Sequence, residues 1–245
     1  MKKDQLLINT ESIKELTLGE IINSNVSAAN IFYSYGIPFH VNPDQTLSDV
    51  IQKLNTPIEK FIPQLMQGIN DPEEECNIYD KDLRELTIYI ERKHHTFVRD
   101  ALNRFEQYKT QLDTQLKEAG LVQLIDRLNK DMTMHMQKEE KMLFPLIRYL
   151  IDCERFNEKP RSRNYGSIRN PIHQMFLEHE SATSMLNKIK LVLDKHHDDL
   201  SEKNITNHFN SLIDEFEANL YLHIHIENNI LFPKTIELEN KLTKL

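Results

Sequence analysis

Four long stretches of the chain repeat apolar residues at steps of three and four, which is the spacing of one face of an α-helix. They cover roughly residues 76–108, 115–150, 170–197 and 204–240. Residues 73–144 and 172–232 contain one glycine, Gly120, and no proline, so little interrupts this pattern. Four helices of this length predict an all-α four-helix bundle over residues 76–245.

The preceding part of the chain has short apolar runs instead. Each run follows a hydroxyl residue with an acid three positions later, in the pairs Thr17 and Glu20, Thr46 and Asp49, and Thr56 and Glu59. This spacing is a helix-capping signal, so residues 1–67 are predicted to form a small module of short helices. Residues 68–75, with Gly68, Pro72 and a run of acids, have the composition of a linker.

Composition argues against several classes of protein. The 245 residues carry 30 basic and 38 acidic side chains, a net charge of −8, and the basic ones form no long stripe, so nucleic-acid binding is not expected. No apolar run approaches the length of a membrane span, and MKKDQLLINTES lacks a signal-peptide core. We therefore expect a cytoplasmic protein without a membrane partner.

Cys76 and Cys153 lie far apart, which fits a reducing compartment rather than a disulfide framework or a thiolate zinc site.

One motif occurs twice. HMQKEEKMLFP spans residues 135–145 and HIHIENNILFP spans residues 223–233, and both contain a His, a Glu four residues later and a closing Leu-Phe-Pro. We expect the Leu-Phe-Pro to pack and then to bend or end the helix, because Pro145 and Pro233 lack a backbone donor.

The His and Glu of each copy fall on the apolar face of their predicted helix. This face comprises Leu121, Leu124, Leu128, Met132, His135, Glu139 and Met142 in the second segment, and Leu212, Phe216, Leu220, His223, Glu227 and Ile230 in the fourth. The third segment places His179 on its apolar face. The first offers His94 and His95, and periodicity does not choose between them.

An ionised carboxylate in a helical core is costly unless a cation compensates its charge. Residues four apart on a helix are neighbours, so each His-x-x-x-Glu pair can bring a nitrogen and an oxygen to one metal ion. Two pairs and two further histidines give four imidazoles and two carboxylates. If each carboxylate bridges two ions, an oxo or hydroxo bridge brings each ion to five bonds and leaves one octahedral position open.

This donor set fits iron, manganese or zinc. A lone histidine on an apolar face is more often a hydrogen-bonded core residue than a ligand, and a single His/Glu pair at this spacing is common on helix surfaces. The duplication of the pair at core positions favours the metal site.

HMQKEEKMLFP, PIHQMFLEHE and HIHIENNILFP together resemble the hemerythrin-like HHE cation-binding domain, and in particular the di-iron proteins of the repair of iron centres family. TLGEIINSNVSAANIFYSYGIPF resembles the N-terminal module of that family, so the resemblance covers nearly the whole chain. It implies two iron ions bridged by Glu139, Glu227 and an oxo or hydroxo group. The six implied ligands are His95, His135, Glu139, His179, His223 and Glu227.

The resemblance also selects His95 over His94, because the family has an Arg four residues after the ligand, here Arg99. It implies that Glu178, near the site's entrance, relays protons or iron, and a solvent-facing helix acid is the alternative for this residue. The N-terminal module departs from the family, since His40 and Val41 stand where a Cys-Cys pair is usual. We therefore expect this module to be a docking surface and the activity to survive its removal.

The function implied by the resemblance is restoration of iron–sulfur clusters in damaged proteins after nitrosative or oxidative stress, by iron delivery or by removal of nitric oxide. One alternative is a reversible O2- or NO-binding or sensing protein. Another is a nitric oxide reductase, which differs from the first two by forming nitrous oxide over many cycles. A non-enzymatic role is favoured.

Overall fold

The computed structural model describes residues 12–53, 57–70, 78–112, 114–161, 166–196 and 203–244. Contacts divide the chain into two units. The first comprises Met1–Lys81 together with Ile224–Ile230, and the second comprises Asp82–His223 together with Leu231–Leu245. Residues 71–75 of the predicted linker lie outside the described residues.

The first unit is built from short helices. They are α1 (Ser12–Glu15), α2 (Leu18–Ser24), α3 (Ser27–Ser34), α4 (Leu47–Ile51) and α5 (Ile58–Ile69), followed by a 3-10 turn at Ile78–Asp80. Thr17 and Glu20 form the predicted capping box at the start of α2. The hydroxyl of Thr46 accepts from the backbone N–H of Asp49 at the start of α4. Thr56, the third predicted cap, lies outside the described residues.

Aromatic rings fill the core of this unit. Phe32, Phe39 and Phe61 are fully buried. The ring of Phe32 lies 6.3 Å from that of Phe39 and 6.4 Å from that of Phe61, between centroids. Burying a phenylalanine removes a large apolar surface from water, so these rings supply much of the stability of a unit made of short helices.

The segment Ile224–Ile230 groups with the first unit through His225. Its Nε2 lies 3.1 Å from Oδ1 of Asn23, and its ring centroid lies 6.0 Å from that of Phe39. Burial, and secondarily the nearby charge of His40, lowers the pKa of His225 to about 4. The ring is therefore neutral at pH 7, with Nδ1 able to accept from Nδ2 of Asn229 at 3.2 Å.

The second unit contains the four long helices of the predicted bundle. The first consists of α6 (Leu83–Tyr89), a π-helical turn (Ile90–His95) and α7 (Thr96–Lys109), and a short α8 (Thr114–Glu118) follows it. The second consists of α9 (Leu121–Lys138), a π turn (Glu139–Leu143) and α10 (Phe144–Phe156). The third is α11 (Arg169–His196), and the fourth consists of α12 (Lys203–Ile226), a π turn (Glu227–Leu231) and α13 (Phe232–Thr243).

The helices pack as an antiparallel bundle requires. Helix α9 packs against α7 and α11, and α10 packs against α6 and α13. Phe105 contacts Phe209 and Phe216 across the core, with centroids 5.7 Å and 5.3 Å apart. Among the described residues, no helix combines the length and apolarity needed to cross a bilayer.

The Leu-Phe-Pro sequences do not end their helices. Pro145 and Pro233 each lie in the first turn of a helix that continues directly from a π turn. Each proline lacks an N–H and so cannot donate to a carbonyl of the preceding turn, which fits the change from π to α hydrogen bonding at these positions. Of the two expected outcomes, a bend or an end, the end is wrong for both copies.

The π turn also changes which residues of the second helix are buried. Met142, predicted on the apolar face, is 66% exposed, and Leu143 is buried in its place. A π turn closes i→i+5 bonds and so inserts one extra residue, which rotates the following side chains by about 100°.

Replacement of Phe39 by Ala tests the packing of the first unit. Phe39 is fully buried against Phe32 and His225, so Phe39→Ala is expected to lower the free energy of unfolding by about 3–5 kcal/mol. Val41, two residues away, is 64% exposed, and Val41→Ala is the matched control with little expected change. Urea denaturation measures both, and equal midpoints for the two variants would contradict the packing described here.

Candidate metal centre

Six buried side chains converge inside the bundle in two overlapping groups. One donor atom from each of His95, Glu139, His223 and Glu227 lies within 4.8 Å of every other, and the same holds for His135, Glu139, His179 and Glu227. All six residues are at most 3% exposed. Both glutamates belong to both groups, whereas each histidine belongs to one.

Three of these six residues lie in π turns. His95 ends the first π turn, Glu139 begins the second and Glu227 begins the third. His179 instead lies within the regular helix α11. Glu139 and Glu227 keep the inward direction that α-helical periodicity predicts, and the extra residue of a π turn shifts the side chains that follow, as at Leu143.

The first π turn explains why periodicity could not choose between His94 and His95. Both are buried, at 2% and 0% exposure. His95 contributes to the first group of donor atoms, and its Nε2 lies 3.1 Å from Oε2 of Glu139. His94 instead has its Nδ1 3.2 Å from Oδ1 of Asn219 and stacks on His223 at 5.3 Å between centroids.

The donor set fits a metal ion. Glu139 and Glu227 are fully buried with carboxylate oxygens within 4.8 Å of each other. Two ionised carboxylates this close repel each other, and burial favours their protonation unless positive charge lies beside them. Four imidazoles around them supply neutral nitrogen donors, which together with carboxylates suit iron, manganese or zinc.

Glu178 lies at the outer side of His135. Its Oε2 is 3.1 Å from Nδ1 of His135, and its Oε1 accepts hydrogen bonds from Lys138 and Gln174. Burial raises the pKa of this carboxyl, but the hydrogen bonds from His135, Lys138 and Gln174 outweigh it and lower the pKa to about 2. Glu178 is thus an ionised carboxylate in contact with a candidate ligand, and not the simple solvent-facing acid of the alternative interpretation.

A second outer carboxylate, Glu140, was missed by the sequence interpretation. Its Oε1 lies 2.7 Å from Nδ1 of His95 and accepts a hydrogen bond from Arg99. The repeat does not mark it, since the second copy of the motif has Asn228 at the corresponding position. Arg99, the residue by which the family resemblance selected His95 over His94, therefore also contacts the carboxylate beside His95.

The cysteine and loop residues lie apart from these groups. Cys153 is a buried free cysteine, while Cys76 lies outside the described residues. Val41 is exposed, and the ring of His40 packs edge-on against Phe39 at 5.8 Å between centroids.

The fold and this set of histidines and glutamates define a helical-bundle protein built to hold metal cations. The profile described as hemerythrin HHE cation binding domain matches residues 86–235, and the chain belongs to this family.

Relatives over most of the chain are iron-sulfur cluster repair proteins named YtfE. That of Musicola paradisiaca is 26% identical over 228 residues, covering 91% of this chain and 97% of the relative. Those of Yersinia pestis and Yersinia pseudotuberculosis are 26% identical over 226 residues, covering 90% of this chain and 96% of theirs. The resemblance stated from the sequence motifs is therefore confirmed.

Alanine substitutions distinguish residues shared by both groups from those in one. Glu139→Ala and Glu227→Ala are each expected to abolish binding of nearly all metal, whereas His179→Ala is expected to remove or weaken one ion. Glu237→Ala, on the exposed side of α13, is the control. Metal analysis after loading with ferrous iron measures the bound equivalents, and equal retention in all variants would make the six residues ordinary core.

Metal removal is expected to destabilise the bundle. A ligand held at 100 to 1,000 times its Kd stabilises the folded state by about 2.7–4.1 kcal/mol. For a chain of this size that corresponds to roughly 5–15 °C in the melting temperature. Calorimetry of loaded and chelated protein checks this, and an unchanged melting temperature would argue against a buried site.

Proposed function

We propose that the chain holds two iron ions, one at each of the overlapping groups. His95 and His223 would bind the first iron and His135 and His179 the second, with Glu139, Glu227 and an oxo or hydroxo group as bridges. This proposal rests on one observation. Each glutamate belongs to both groups of donor atoms, whereas each histidine belongs to only one. A carboxylate-bridged metal pair within a helical bundle is a known arrangement for two irons.

We further propose that the protein repairs iron–sulfur clusters damaged by nitrosative or oxidative stress. Family membership supports cation binding, and the relatives that match along 90–91% of the chain carry the name of iron-sulfur cluster repair proteins. Damaged iron–sulfur proteins would be its partners and nitric oxide or O2 its small ligands. Iron at this site would supply an exchangeable metal for delivery and an open position for a diatomic ligand.

The residues around the site have defined tasks in this function. Glu139 and Glu227 would offset the charge of the cations, and the four histidines would bind through neutral nitrogens. The buried ring of Phe144 stacks on His95, with centroids 5.8 Å apart, and the buried ring of Phe232 stacks on His179, with centroids 6.3 Å apart. These apolar rings would restrict the access of water to the two groups of donor atoms. Glu178, joined to His135, Lys138 and Gln174, would provide a charged path from the partly exposed side of α11, for protons or for iron.

The number of histidines bears on the alternative of a reversible oxygen carrier. Hemerythrins that carry oxygen use five histidines, and the two groups contain four. His94 is a buried fifth histidine but is engaged with Asn219 and lies outside both groups. Repair is therefore favoured over oxygen storage.

A repair assay tests the proposed function. Protein loaded with two irons is expected to restore activity to a nitric-oxide-damaged iron–sulfur enzyme, and the Glu139→Ala variant is expected to restore little. The same mixtures are analysed for nitrous oxide over many cycles. Sustained nitrous oxide would establish a reductase instead, while one tightly held zinc with no recovery of the damaged enzyme would refute the di-iron repair function.

A further inference from the structure

Glu140 fixes one side of the imidazole of His95. Its Oε1 lies 2.7 Å from Nδ1 of that ring, while Nε2 on the other side of the ring lies 3.1 Å from Oε2 of Glu139. The ring of His95 is therefore held between the carboxylates of two consecutive residues. His95 is fully buried, so both ring nitrogens face these carboxylates rather than bulk water.

The contact determines which nitrogen of His95 carries the proton. An ionised carboxylate only accepts hydrogen bonds, so Nδ1 must donate to Glu140. In the neutral ring this leaves the lone pair on Nε2, the nitrogen that faces Glu139. The guanidinium of Arg99 lies against the same carboxylate and supplies the opposite charge that its ionised form requires.

Arg99 fixes Glu140 in turn. It lies four residues after His95 on the first bundle helix, and its guanidinium donates to the oxygen that accepts from Nδ1 of His95. Its charge is permanent. Arg99 also lines a cavity of about 210 Å³ with Asn129, Thr133 and Gln137, so this hydrogen-bonded chain reaches from the buried ring to solvent.

The two outer carboxylates serve different groups of donor atoms. Glu140 contacts His95, which belongs to the first group, and Glu178 contacts His135, which belongs to the second. Their cations differ as well, since Arg99 pairs with Glu140 and Lys138 with Glu178. A substitution at one outer carboxylate therefore changes the support of one group and leaves the contacts of the other intact.

We propose that Glu140 is a positioning residue that fixes the tautomer and ring orientation of His95, and so controls how firmly one of the two irons is held. The inference rests on the di-iron site proposed above. Outer-sphere partners of metal-bound histidines typically contribute about 10- to 100-fold in metal affinity. Loss of Glu140 therefore makes the two irons unequal in their rates of release.

Release of iron to a chelator provides the first test. In Glu140→Ala, one iron per chain is expected to leave about 10- to 100-fold faster than in the unmodified protein, and the other at nearly the original rate. Glu140→Gln keeps an oxygen that can accept from Nδ1 without the charge, so its rate should fall between the two, which is the rescue expected of a positioning role. Mössbauer spectra should show a change in one of two iron signals.

Glu91→Gln is the matched control. Glu91 forms an interhelical pair with Arg148 and is 31% exposed at the side chain, compared with 25% for Glu140. Its loss removes a Glu–Arg pair of the same kind from the π turn that ends at His95, so this control also reports any general disturbance of that turn. If Glu91→Gln and Glu140→Gln accelerate the release of both irons to the same extent, the effect is general destabilisation and the proposal is wrong.

The tautomer of His95 provides a test that needs no metal. In metal-free protein labelled with ¹⁵N-histidine, His95 is expected to show a hydrogen-bonded Nδ1–H proton that is absent in Glu140→Ala and retained in Glu91→Gln. An unchanged His95 spectrum in Glu140→Ala overturns the proposal. The spectrum does not depend on cluster repair, so failure of the repair assay with the expected spectrum would refute the function and leave the contact standing. Should Glu140→Ala fail to fold by circular dichroism, Glu140→Gln carries the release test: faster release confined to one iron supports the proposal, and equal acceleration of both irons overturns it.

Discussion

The burial of two carboxylates within 4.8 Å of each other is the constraint on which the rest of the bundle depends. The penalty for moving an ion into a protein interior is of the order of several kcal/mol, and like charges add to it. Hydrophobic packing around Glu139 and Glu227 cannot offset this cost, because apolar side chains offer no charge or hydrogen bonds. The core is therefore organised around a place for cations, with four imidazoles whose nitrogens face the same space.

The backbone adapts to this constraint through π turns. Regular helices would leave consecutive side chains about 100° apart, so only one residue in three or four could face the centre. The extra residue at Ile90–His95 lets both His94 and His95 enter the core, and those at Glu139–Leu143 and Glu227–Leu231 start at the two shared glutamates. The prolines that follow the latter two turns are compatible with them, because each lies where a new α-helical hydrogen-bonding register begins.

Apolar periodicity made the bundle predictable, and the duplicated motif did the same for four of the candidate ligands, since a His and a Glu on an apolar face are rarely repeated by chance. Periodicity failed where the helix departs from 3.6 residues per turn, as at Met142 and at the His94–His95 pair. It also could not reveal Glu140, because the contact with His95 joins two helices and depends on their relative rotation. Such contacts are set by tertiary packing, which no pattern within one helix records.

The packing of the fourth bundle helix bears on the expectation that the N-terminal module can be removed without loss of activity. From the sequence, every ligand lay beyond residue 76, and the loss of the family's cysteines at His40 and Val41 favoured a module that could be removed. In the structure, the segment Ile224–Ile230 belongs to the first unit. Glu227 lies within this segment, two residues after the buried His225 that contacts Asn23 and Phe39.

A module that packs around this segment restricts the helix that carries a shared carboxylate, although none of its own side chains belongs to the two groups of donor atoms. Its removal would expose His225 and the apolar residues beside it, Ile224 and Ile226, which are at most 3% exposed in the intact chain. Loss of activity after truncation could then follow from a displaced Glu227, without any thiol chemistry in the module. Point substitutions that leave the module in place, such as those at Phe39 and Val41, therefore separate its structural contribution from a docking role more cleanly than deletion does.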